Sequence, residues 1–326
     1  MTRLKVLEEL LSKNIISAYH AKLIEDELNK KPFSVHHELR SILYIGILLL
    51  VSGAGIVIYE NIDSIGHQFI LTLLALLTTG CFYYSFINRL PFSWNRTTNP
   101  NKLSDYSLLL ACSLFLILEG YIQYQYNIFG TKYGLAVLIP TVVFFCCAYR
   151  LDHAGVLSMA ITGLATWLGL TIAPLSIIAK NDFTNINLII SAISLGFALV
   201  IFGQVSILRN LKAHFSFTYF FLGGNLAAVA SLAGLFNHHY KPVYFICGVV
   251  LSLFFILRSR QNQSAVFLLM GTIYAYVIVT YAIFNILDDT IAGFIAVYYF
   301  LFSSIGMIFF LLNFKKILGI RNEKSL

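Results

Sequence analysis

Ten long apolar runs separated by polar gaps dictate most of what this chain can fold into. A bilayer core about 30 Å thick takes about 20 apolar residues per helix. The runs fall at 41–59, 68–87, 105–125, 132–149, 153–173, 184–206, 215–236, 242–257, 264–285 and 291–313. Continuous runs predict membrane-spanning helices, because a transmembrane β-barrel alternates apolar and polar residues over short segments. With 58% hydrophobic and 11% charged residues, the chain has too little polar surface for a water-soluble globule. The expected fold is therefore all-α: a polytopic membrane bundle of ten transmembrane helices over 38–314. The helices are connected as five helical hairpins, 41–87, 105–149, 153–206, 215–257 and 264–313. A small cytoplasmic amphipathic helix-turn-helix over 1–37 precedes them and a basic cytoplasmic tail over 315–326 follows.

Lysine and arginine set the orientation. Nineteen of the 22 lie in the N-terminal segment, the even-numbered gaps or the tail, and only Lys132, Lys180 and Lys241 lie in the odd-numbered gaps. The positive-inside bias then places both termini and the even gaps in the cytoplasm of a bacterial inner membrane. The net charge of +7 follows from that bias and favours anionic lipid, so no nucleic-acid partner is implied. No cleavable leader is expected, since the first apolar run begins only after forty residues rich in charge. The five cysteines, Cys81, Cys112, Cys146, Cys147 and Cys247, fall inside spans and read as small apolar residues.

The head differs in kind from the rest. Leu4, Leu7, Leu10 and Leu11 recur at helical spacing, Asn14 can close that helix, and Ser17 can cap a second one carrying Ala21, Ile24 and Leu28 before Pro32 ends it. Two such helices cannot build a core of their own. Their apolar faces are expected on the bundle, on the membrane surface, or against a cytoplasmic protein partner. The run Leu7-Glu8-Glu9-Leu10-Leu11-Ser12-Lys13-Asn14-Ile15-Ile16-Ser17, then Leu39-Arg40, a glycine-rich first span and Tyr59-Glu60-Asn61-Ile62-Asp63, resembles the bacterial membrane family named domain of unknown function 2157. Asn14 stands where that family usually has glycine, and Ile62 where it has tryptophan. The resemblance covers about the first ninety residues and rests on hydropathy after them. It implies an integral membrane protein of bacterial type and carries no activity with it.

Candidate chemistry concentrates at few positions. Glu119 follows an apolar run from Leu108 to Leu118, and Gln123 lies one turn further on the same face. A carboxylate at that depth is costly and usually faces a cavity or a partner, although a span ending near Leu118 would leave Glu119 on a solvated rim. Gly223-Gly224-Asn225 is expected to interrupt its span near mid-depth, either as a place where the helix unwinds around a substrate or as a close-packed interface. Glu60, Asp63, His67, Asp182, His238, His239, Asp288 and Asp289 lie in the odd gaps, where they could converge on a mouth that binds a cation or relays protons. Spaced metal-ligand pairs, phosphate-binding glycine loops and nucleophile elbows are not found, so no metal, cofactor or catalytic residue is assigned. The gap at 88–104, with Pro91, Trp94 and Pro100, reads as a headgroup anchor.

The leading expectation is a transporter-like protein that binds or moves a small solute or ion, using Glu119, Gln123, Asn225, Glu60, Asp63, His238 and His239. The alternatives are a non-catalytic scaffold or sensor whose head docks a cytoplasmic partner, and a lipid-modifying enzyme using the odd-gap histidines. Oligomeric state is not legible.

Overall fold

The computed structural model describes residues 36–60, 66–97, 100–130, 132–173, 183–287 and 289–318, with Ser17 and His20 before them. By packing, the chain divides into two units, Met1–Ala54 and Gly55–Leu326. In the first, the Ser17 hydroxyl accepts the His20 N–H at 3.4 Å, an N-cap bond where the head's second helix is expected to begin. The rest of the predicted head lies outside the described residues, as do Asp63, Asp182, Asp288 and the end of the basic tail. Helix α1 (His36–Glu60) starts in the first unit and carries the apolar segment Ser41–Val57.

The second unit continues with α2 (His67–Ile87), α3 (Lys102–Tyr126), α4 (Tyr133–Leu151), α5 (Ala154–Ile172) and α6 (Ile186–Leu208). After a short 3₁₀ turn, Ala213–Phe215, come α7 (Ser216–Asn237), α8 (Lys241–Gln261), α9 (Ala265–Ile286) and α10 (Asp289–Ile317). Among the described residues every regular element is helical, and nine helices are long and apolar enough to cross a membrane. Their limits fall within a few residues of the expected spans because local chemistry stops them. Asn101, His153, Asn185 and Ser264 accept first-turn amides at the N-termini of α3, α5, α6 and α9. Asn127 and Asp152 close α3 and α4 in the left-handed conformation, at φ 46° and 58°.

Helix pairing departs from the hairpins expected in one respect. The most extensive packing joins α2 to α3, α4 to α5, α6 to α7 and α8 to α9, shifted by one helix from the expected hairpins, with α7 against α8 next. Glycines mark the closest approaches in three of these four pairs. A Cβ at Gly196 on α6 would lie 2.6 Å from the Gly223 carbonyl and 2.7 Å from Ala227 on α7, and one at Gly271 on α9 would lie 2.9 Å from the Ile256 amide of α8. Between α4 and α5 a Cβ at Gly134 or Gly163 would instead meet a threonine hydroxyl, that of Thr171 or Thr141. Lipid offers no hydrophobic drive between helices, so backbone proximity at small residues decides which helices pair.

The interrupted helix expected at Gly223-Gly224-Asn225 is not there: α7 runs unbroken through all three residues. Both glycines are buried contact points, Gly223 against Leu199 of α6 and Gly224 against Phe255 of α8. Phe220, Phe255 and Phe267 fill the space beside them. Helix α10 meets α9 through the stacked pairs Tyr276–Tyr299 and Phe284–Phe300 and a 2.6 Å bond between the Thr280 and Tyr299 hydroxyls. Most of its remaining apolar side chains, Phe294 and Leu312 among them, are exposed.

Candidate functional site

Glu119 sits on α3 seven residues before its end, about 10 Å along the axis at 1.5 Å per residue. Its two carboxylate oxygens are shielded from the surface and have no hydrogen-bond partner among the described residues. Gln123, one turn on, has a different task. Its Oε1 accepts the Phe129 amide at 3.0 Å, and its Nε2 donates to Asn127 Oδ1 at 3.1 Å and to the Gly130 carbonyl at 3.3 Å. The amide thus holds the turn between α3 and α4, and the pairing of Gln123 with Glu119 as one binding site gains no contact. At the same helix end, His67 Nδ1 and the Tyr121 hydroxyl lie 2.6 Å apart, and Gln68 donates to the Tyr126 hydroxyl at 2.8 Å. The tyrosines at the end of α3 therefore tie it to α2.

Asn225 is also committed. Its Nδ2 donates to the Phe221 carbonyl at 2.9 Å and contacts Met270 Sδ at 3.7 Å, and its Oδ1 accepts the Tyr274 hydroxyl at 2.5 Å. Tyr274 is in turn stacked on Phe255. The side chain links α7 to α9 inside an aromatic layer. A cleft of about 430 Å³ lies nearby between α5, α6 and α7, lined by Thr162, Thr166, Leu188, Leu226 and Val229 among others, but not by Asn225. Glu119 and Asn225 thus belong to separate helix pairs.

Among the odd-gap residues whose side chains are described, none is brought to another in a shared cluster. His238 Nε2 lies 2.6 Å from the Thr184 carbonyl and joins the end of α7 to the approach to α6. His239 and Glu60 are exposed. Among the described residues no group of three His, Cys, Asp or Glu side chains could hold a metal ion.

The most developed polar cluster lies where the sequence suggested only an anchor. Asp152, in the two-residue turn between α4 and α5, accepts the Thr97 N–H at 2.5 Å and the Thr97 hydroxyl at 2.8 Å through Oδ2. Its Oδ1 meets His214 Nε2 at 2.5 Å and Lys212 Nζ at 3.2 Å. Lys212 is 1% exposed and Asp152 3%. The lysine amide bonds the Trp94 carbonyl at 3.1 Å, its ammonium lies 5.3 Å from the Phe92 ring, and Arg150 donates to the Leu90 carbonyl. The segment before α3 is thus strapped to the α4–α5 and α6–α7 turns by a buried ion pair, with Phe92 and Trp94 left exposed. Both charged partners sit in the left-handed region, Lys212 at φ 53°, a conformation that needs surrounding bonds to hold it. Burial pushes the Asp152 carboxyl up, but bonds from Thr97 and His214 outweigh it and hold it below its ordinary value. The sequence signal was an Asp, a Lys and a His in two gaps of one charge class, which charge counting alone assigns to orientation.

The spans make this a membrane protein whose apolar helices fit a lipid bilayer. No curated protein and no solved structure matches the chain. Residues 8–157, just under half of the chain and reaching from the head to the first turn of α5, match the family model described as predicted membrane protein (DUF2157), which extends the resemblance beyond its first ninety residues.

Proposed function

We propose that the protein binds or moves a small solute or ion, and that Glu119 is the group it uses. The observation that carries this reading is the shielded carboxylate two turns inside α3, without a hydrogen-bond partner among the described residues. An ionised carboxylate without a donor costs several kcal/mol in a low-dielectric site, so its retention there calls for a proton, a cation or a ligand's donor beside it. The test is an untargeted comparison of metabolites in a deletion strain complemented with the wild type or with Glu119→Gln. The Gln variant should leave the profile of the uncomplemented deletion, with several-fold changes in the affected solute. A wild-type profile, with the variant present in the membrane at normal level, would sink the reading.

A second reading is a non-catalytic scaffold whose head engages a cytoplasmic partner. Asn225 favours it, since its side chain is spent on Phe221 and Tyr274 and does not line the nearby cleft. Either reading places the protein in the bacterial inner membrane with both termini cytoplasmic, supported by the nineteen basic residues on one side. Single cysteines at Lys132 and Lys241 should react with an impermeant reagent added outside, and those at Trp94 and Arg260 only after lysis. One reproducible inversion among the four would remove this orientation.

A further inference from the structure

We propose that Glu119 binds and releases a single proton and takes no metal cation, an inference that rests on its being the functional group named above. Of the acids and bases in the described helices, Glu119 alone stands two turns from the nearer helix end; Asp105, Arg150, Lys241, Arg258 and Arg260 all lie within the first or last turn. The helices packed on α3 are α2, α4 and α5. The titratable side chain that α2 brings to this end is His67, already bonded to Tyr121. From α4 it is Tyr133, and α5 has no titratable residue. Gln123 is occupied by the turn that follows. Among the described residues of these helices none carries a fixed positive charge at this end, and Lys132, just before α4, is exposed.

What can occupy such a place follows from ligand number. Calcium takes six to eight oxygen ligands and magnesium a near-ideal octahedron, whereas among the described residues Glu119 belongs to no group of three His, Cys, Asp or Glu side chains. An anion is repelled. A proton needs one oxygen only: hydronium transfers its proton to a carboxylate oxygen and leaves as water, giving a neutral acid. Release reverses the step. A neutral acid removes the charge that the surroundings leave unmatched.

Infrared difference spectroscopy of the full-length protein in lipid bilayers tests this directly. The wild type should show the carbonyl stretch of a protonated carboxylic acid, lost as pH is raised, absent from Glu119→Gln, and retained at shifted frequency in Glu119→Asp. Added sodium, potassium or calcium at constant pH should leave it in place. A wild type without the band at any pH, a Gln variant that keeps it, or a band displaced by one of these ions overturns the proposal. A band that titrates as expected together with an unchanged metabolite profile in the Gln strain would instead reject the solute reading and leave the proton site standing.

Discussion

Gly196→Ala is expected to melt well below the wild type, by about 1–3 kcal/mol of stability, or not to accumulate in the membrane. The added methyl would stand 2.6 Å from the Gly223 carbonyl and 2.7 Å from both the amide and the Cβ of Ala227. Two of these are backbone atoms of α7, which cannot turn aside as a flexible side chain can. The helices must separate, and α6 and α7 are the most extensively packed pair in the bundle. Separation also loosens Gly223 from Leu199, so the loss spreads along the interface. Gly80 on α2 is the control, because a Cβ there meets nothing within 4 Å. Gly80→Ala removes a weak helix former and should hold or gain a few tenths of a kcal/mol. The measurement is thermal unfolding of both variants in detergent, followed by size-exclusion chromatography. Equal melting temperatures would mean that α6 and α7 do not meet at these glycines.

Asp152→Asn is expected to cost about 3–5 kcal/mol, the range for removing one partner of a buried ion pair. The ammonium of Lys212 would stay in place, 1% exposed, facing an amide that carries no charge, with the Phe92 ring as its remaining support. Asp152→Asn combined with Lys212→Met should recover most of the loss, because the uncompensated charge is gone, and the coupling between the two sites measures the pair. The strap before α3 supplies a second readout: protease cleavage between Leu90 and Thr97 should rise in the single variant and fall back in the double. If the single variant melts with the wild type, the pair does not hold the strap. The pH dependence has a definite sign. Because the folded state holds the Asp152 carboxyl below its ordinary value, its stabilisation is fully present above the ordinary carboxylate range. It is lost as pH falls through the depressed folded value. The Asn variant should show a shallower acid loss than the wild type.

Hydropathy was sufficient for the nine long apolar helices because the bilayer is an unusually strict solvent. Every backbone polar group at depth must be bonded within its own helix, so a run such as 264–285 had little choice but to become α9, Ala265–Ile286. The sequence singled out Glu119 as an acid after a long apolar run but left a shielded site and a solvated rim both open, and the shielding of its carboxylate oxygens comes from the fold. The roles of Gln123 and Asn225 were not legible. An amide in a span reads identically whether it faces a ligand or a neighbour, and only the bonds to Phe129 and Gly130 in one case and Tyr274 in the other decide it.

What the chain determines by itself is where its long apolar helices lie and roughly how long they are, since these follow from transfer energies that each segment carries alone. Which helices pair, and where a polar side chain spends its bonds, depends on atoms far apart in sequence. Gly196 finds Gly223, and Asp152 finds Thr97, Lys212 and His214. Those meetings were decided by close packing and by the cost of leaving a buried charge alone, and neither has a counterpart in local composition.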